Sequence, residues 1–195
     1  MSRRAAELFS PALLRTLRSV TAALGRARVR YAVGGSLAMA AHGYRRETTD
    51  IDVFIDADQK PAAMRAIRKL GWPTASVFRG FHHIAEIPGF AIDDLRVDLL
   101  FPADDPDWSA VQAPDRVTLG GIKFSAFPLL LLVLAKVQAV SDMGEEGDKH
   151  LGDLKALWQR GLIEEAPLLK LARRSGMLTE TVRVLTSPPW CLERE

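Results

Sequence analysis

The sequence predicts an α/β (α+β) chain, with an α/β half over residues 1–125 and an all-helical half over residues 126–195. Three observations predict it. Asp50-Ile51-Asp52-Val53-Phe54-Ile55-Asp56 alternates carboxylate and apolar side chains, the period of a strand with one wet and one buried face. Val117–Leu119 and Ile122–Phe124 flank Gly120-Gly121, the pattern of a two-residue hairpin. From Pro128 onward the apolar residues keep helical spacing.

The elements follow in order. Ser10-Pro11 offers a capping hydroxyl and a proline at the first helical position. Leu13, Leu14, Leu17, Val20 and Leu24 then recur at helical spacing, giving a helix over residues 11–25 that Gly25 closes. Val29–Val33 is a short strand running into Gly34-Gly35, and Ser36 is placed to cap a helix over Leu37–His42. After the Asp50–Asp56 strand, Lys60–Leu70 reads as a covering helix ended by Gly71. Strands are expected at Ser76–Phe78, His82–Ile87 and Leu95–Phe101, with a turn at Pro88-Gly89. Asp104-Asp105-Pro106-Asp107 begins a loop or short helix. In the second half, helices are expected at Leu129–Val140, Asp148–Arg160 and Glu164–Arg174, the first two joined by Gly144-Glu145-Glu146-Gly147.

The bulk numbers narrow the class without naming a partner. In 195 residues, 48% hydrophobic and 26% charged content is that of a folded domain and excludes a disordered chain. The 26 Lys+Arg against 24 Asp+Glu leave a formal charge of +2, which neither requires nor excludes nucleic acid. The basic N-terminal segment, with Arg15 and Arg18, reads as a solvated helix face. Cys191 is the single cysteine and has no partner for an internal disulfide, which points to a reducing compartment. Met1-Ser2-Arg3-Arg4 leads into no apolar targeting segment, and the run Phe127–Ala135 is too short to span a membrane before Lys136 ends it. A cytoplasmic protein with no membrane partner is expected.

The chemistry lies in Gly34-Gly35-Ser36 at a strand end, Asp50 and Asp52 on the next strand, and Asp98 on a later one. Carboxylates at i and i+2 of a strand point the same way and can share divalent cations. Mg²⁺ prefers a few carboxylates plus substrate phosphates to a closed protein cage. Asp98, in Arg96-Val97-Asp98, is the candidate third carboxylate. Glycines without Cβ let the backbone approach a triphosphate, the amides opening the next helix favour negative charge, and Ser36 adds a hydroxyl. His82-His83 cannot chelate one ion well, because neighbouring strand residues face opposite ways. Asp56 and Asp58 read as solvated strand-end residues, Asp93 and Asp94 as turn residues, and Leu154, Leu157 and Trp158 as core.

This arrangement resembles the polymerase-β-like nucleotidyltransferase superfamily. The string Gly34 to Asp52, with its small helix ending in His42-Gly43 and its Arg46, Thr48, Asp50 and Asp52 run, is most similar to bacterial minimal nucleotidyltransferases and abortive-infection (type IV) toxin nucleotidyltransferases. The similarity is close over residues 29–56 and loose over 95–101 and 129–157. It implies a mixed, mostly antiparallel sheet flanked by helices. It also implies two Mg²⁺ ions held by Asp50, Asp52 and Asp98, with Gly34, Gly35 and Ser36 at the phosphates of an NTP. Lys136 matches a nucleotide-supporting lysine of the toxin-like enzymes. The following run matches in part: Lys149 and Asp153 fit, but His150 and Gly147 stand where aspartate and arginine are usual. The reaction implied is transfer of an NMP to an acceptor hydroxyl. A tRNA 3′ end is expected as acceptor and an antitoxin as possible partner. The alternatives are an aminoglycoside-type or protein adenylyltransferase, or a non-catalytic nucleotide-binding regulator.

Overall fold

Ser10 starts the first helix, α1 (Pro11–Arg26), by accepting a hydrogen bond on its hydroxyl from the Leu13 N–H at 3.1 Å. The computed structural model describes residues 9–72, 75–78, 81–84, 95–102, 107–143 and 148–186, so the expected turn at Pro88-Gly89, Asp93-Asp94, the Gly144–Gly147 joint and Cys191 lie outside the described residues. Gly25 was expected to end α1 but does not. The helix continues to Arg26, and Arg28 takes the left-handed conformation (φ 54°) with its N–H on the Gly25 carbonyl at 3.0 Å.

Strand β1 (Tyr31–Val33) runs into Gly34, and helix α2 (Gly35–Ala41) follows at once. Ser36 is not its cap. Gly34 holds that place in extended conformation, and its carbonyl accepts from Ala38 N–H at 3.1 Å. Strand β2 (Asp50–Ile55) leads through a 3₁₀ turn (Ala57–Gln59) into helix α3 (Lys60–Arg68). Asp56 caps that turn and is buried (3% exposed), not solvated as expected. Arg30 and Gln112 donate to its Oδ2 and the Asp58 N–H to its Oδ1. Burial alone would raise the Asp56 pKa. These hydrogen bonds and the charge of Arg30 outweigh that and hold it below the usual value.

Strands β3 (Ala75–Phe78), β4 (Phe81–Ile84) and β5 (Arg96–Leu100) come next, then the short helix α4 (Asp107–Gln112) and the hairpin β6 (Asp115–Leu119)–β7 (Ile122–Ala126). Gly120 (φ 55°) and Gly121 (φ 76°) both take positive φ in its two-residue turn, where a side chain would be strained. The seven strands form one sheet in the order β3-β4-β5-β2-β1-β7-β6. Only β1–β7 and β2–β5 are parallel, so the sheet is mixed and mostly antiparallel. Ile51, Val53 and Ile55 are fully buried on one face of β2, and Leu13, Leu17 and Leu24 of α1 and Ile67 of α3 are fully buried too. That leaves Asp50, Asp52 and Phe54 on the opposite face.

The chain divides into two compact units, Met1–Pro128 and Leu129–Glu195. The second unit is made of α5 (Leu129–Met143), α6 (Asp148–Gln159), α7 (Glu165–Arg174) and α8 (Leu178–Thr186). The last of these is a separate helix that the sequence pattern did not resolve. Leu134, Val137, Leu154, Leu157, Leu168 and Val184 are buried in this unit. Among the described residues no helix is long and apolar enough to cross a membrane.

Candidate active site

Strand register gathers the acidic residues. Parallel pairing of β2 with β5 sets Asp50 opposite Arg96 and Asp52 opposite Asp98. Side chains directly opposite in a ladder share a face, so Asp50, Asp52, Arg96 and Asp98 stand together on the face opposite Ile51, Val53 and Ile55. Asp98 is 6% exposed and Asp50 and Asp52 are half-buried. On the other side of β5, β4 pairs with His83 opposite Asp98.

The glycine turn is built against this cluster. Gly34 N–H donates to the Asp52 carbonyl at 2.9 Å, joining the end of β1 to the strand that carries Asp50 and Asp52. A Cβ on Gly35 would stand 2.0 Å from Asp52 Oδ2, and Gly35 has φ 56°. A Cβ on Gly34 would stand 2.6 Å from the Phe54 ring. Both glycines are therefore required by side chains of β2, a requirement separate from the phosphate approach expected from sequence. Phe54 in turn packs edge-on against Phe127, ring centroids 4.6 Å apart, as an apolar floor beneath the turn. Ser36 is buried in the first turn of α2. At the far end of that helix, His42 Nε2 lies 2.6 Å from the Phe127 carbonyl and 3.9 Å from Asp115 Oδ2.

Arg96 sets the electrostatics. Its Nη2 donates to Asp50 Oδ2 at 2.9 Å, and its Nε is 3.3 Å from Asp98 Oδ2. One guanidinium thus bridges two of the three carboxylates, a role that sequence reasoning passed over because Arg96 was read only as a neighbour of Asp98. The donor set suits a hard divalent cation: carboxylate oxygens from adjacent strands on one face. Among the described residues no three acidic, histidine or cysteine side chains are drawn together tightly enough to hold an ion. The guanidinium stands between two of those expected to do so.

Lys136 and Asp153, expected beside the nucleotide, meet each other in the helical unit. Lys136 Nζ donates to Asp153 Oδ2 at 2.7 Å, and both side chains are buried. The pair joins α5 to α6. A separate cavity of about 380 Å³ is lined by Arg28, Arg30, Tyr31, Gln112, Arg116 and Ser125 among others and contains none of the three carboxylates. Asp107, at the start of α4, has its carboxyl pushed up to about 6 by burial.

The family described as aminoglycoside-2''-adenylyltransferase matches residues 16–115, from within α1 to the start of β6. No curated protein matches the chain. Solved structures share its fold. The antibiotic-resistance factor ANT(2'')-Ia in solution is 15% identical, with 88% of this chain and 92% of that chain covered and a TM-score of 0.62. The crystal structure of ANT(2'')-Ia with adenylyl-2''-tobramycin is 15% identical over 89% of this chain and 99% of that one, with a TM-score of 0.60. An antigenic nucleotidyltransferase-like protein from Paracoccidioides brasiliensis is 16% identical over 93% and 91%, with a TM-score of 0.62.

Proposed function

The chain belongs to the aminoglycoside-2''-adenylyltransferase family, and from that premise we propose that this nucleotidyltransferase moves AMP from ATP to a hydroxyl of a small polycationic acceptor of the aminoglycoside class. One observation carries the reading: Asp98 stands in register with Asp52 on the strand parallel to β2, with Asp50 on the same face and the Gly34-Gly35 turn against them. The family match favours this acceptor over the tRNA 3′ end expected from the toxin-like resemblance. An antitoxin partner has no support beyond that resemblance.

In this proposal Asp50, Asp52 and Asp98 would hold two Mg²⁺ ions, whose charge would neutralise the triphosphate and polarise the reacting phosphoryl group. Gly35 and Ser36 face the phosphates, and Lys136, held by Asp153, is the proposed nucleotide-supporting lysine. Asp98 accepts the proton of the acceptor hydroxyl. The acceptor oxygen bonds to the α-phosphorus, the bond to the β-phosphate oxygen breaks, and pyrophosphate leaves with that electron pair.

Incubating the protein with ATP, Mg²⁺ and a panel of aminoglycosides, beside total tRNA and the protein alone, tests the reading. A gain of one AMP on an aminoglycoside, abolished by Asp98→Asn, supports it. AMP found only on tRNA or only on protein sinks the acceptor class while leaving nucleotidyl transfer intact.

A further inference from the structure

Arg96 engages two of the three carboxylates that would hold a metal ion. Its guanidinium reaches Asp50 Oδ2 through Nη2 (2.9 Å) and Asp98 Oδ2 through Nε (3.3 Å), and the strand register that sets Arg96 beside Asp50 holds it there. The same residue is anchored by its backbone, whose N–H donates to the Thr49 carbonyl at 3.1 Å. Three carboxylates on adjacent strands repel one another, and the repulsion is large where one of them, Asp98, is almost wholly buried. An arginine stays protonated at every accessible pH, so the bridge is a permanent cation. Its side chain is 45% exposed, which gives the head group a way out of the cluster.

We propose that Arg96 is the resident cation of this site: it holds Asp50 and Asp98 together in the metal-free enzyme and must release them before a divalent ion can bind. Guanidinium and metal would compete for the same two carboxylates, and two cations held there would repel each other. Free metal therefore binds weakly. The triphosphate that accompanies it offers the displaced guanidinium an anionic partner, so metal and nucleotide enter together. The inference rests on the metal-dependent reading above.

The test is titration of the nucleotide-free protein with Mn²⁺ alone, followed by calorimetry and by the loss of the free-ion resonance signal, in the native chain, Arg96→Gln and Arg96→Lys. Arg96→Gln should bind Mn²⁺ at least about tenfold more tightly, because the competing charge is gone. Its metal-free form should melt lower, and Mn²⁺ should raise its melting temperature by more than it raises that of the native chain. Arg96→Lys keeps the charge but cannot span both carboxylates, so it should fall between the two. It carries the test if Arg96→Gln does not fold. A native protein that binds Mn²⁺ with variants of equal or weaker affinity would overturn the role of Arg96 and leave the metal site standing. No Mn²⁺ binding by any of the three would overturn the metal site and this inference together.

Discussion

Gly35 lies so close to Asp52 that a Cβ on the glycine would stand 2.0 Å from the carboxylate Oδ2. The turn that ends β1 and the strand that carries the acids are thus one packed unit. Gly35→Ala would have to move Asp52 and would also hold alanine at φ 56°, which alone costs about 1–2 kcal/mol. We expect a melt lower by several degrees and nucleotidyl transfer reduced by roughly two orders of magnitude. Calorimetry and a pyrophosphate-release assay check both. Activity within a few-fold of native would show that Asp52 does not need its present position.

Asp52→Asn keeps the shape of the side chain and removes one charge from the cluster. Transfer should fall by roughly two orders of magnitude or more. The melt should barely drop or should rise, since clustered carboxylates repel one another when no ion lies between them. Activity surviving within a few-fold would remove Asp52 from the metal set.

Asp107 and Asp56 should give opposite pH responses. Burial raises Asp107 from 3.8 to about 6, so folding disfavours its charged form. The associated stability is present below pH 3.8 and is lost as pH rises through about 6. Asp107→Asn should therefore stabilise the protein at pH 8 and change little at pH 4. Asp56 is held below 3.8, so its contribution is present above that value and disappears as pH falls through the lowered pKa. Asp56→Asn should destabilise at pH 7, by about 1–3 kcal/mol for the buried donors it leaves poorly matched, and the gap from native should close in acid. Melting curves of the three proteins across pH read both signs.

Lys136→Met should cost about 3–5 kcal/mol, because it leaves the buried Asp153 carboxylate without its cation. Lys136→Met with Asp153→Leu should recover most of that, as apolar replacements of buried pairs often do. The double variant then isolates the nucleotide role. A KM for ATP raised about tenfold or more would fit a lost phosphate contact, and an unchanged KM would confine Lys136 to joining α5 and α6.

The acidic strand was legible because its pattern is local. A period of two from Asp50 to Ile55 makes a strand with its acids on one face, whatever the strand pairs with. Ser10-Pro11 and Gly120-Gly121 work through their own backbone preferences, so the start of α1 and the β6–β7 hairpin could be read directly. Capping choices within reach of tertiary contacts could not. Ser36 looked like the cap of α2, but Gly34 took the place because β2 packs Phe54 and Asp52 against the turn.

What only the tertiary structure decided is the pairing of distant charges. The parallel register of β2 and β5 puts Asp98 beside Asp52 and brings Arg96 across Asp50, 46 residues away in sequence. The buried ion pair of Lys136 with Asp153 and the burial of Asp56 under Arg30 and Gln112 arise in the same way. An isolated carboxylate or guanidinium in a sequence has no partner to reveal. Its partner, and so its charge environment, exists only once strands and helices have docked, because Coulomb and hydrogen-bond energies depend on distances that the chain sets by folding.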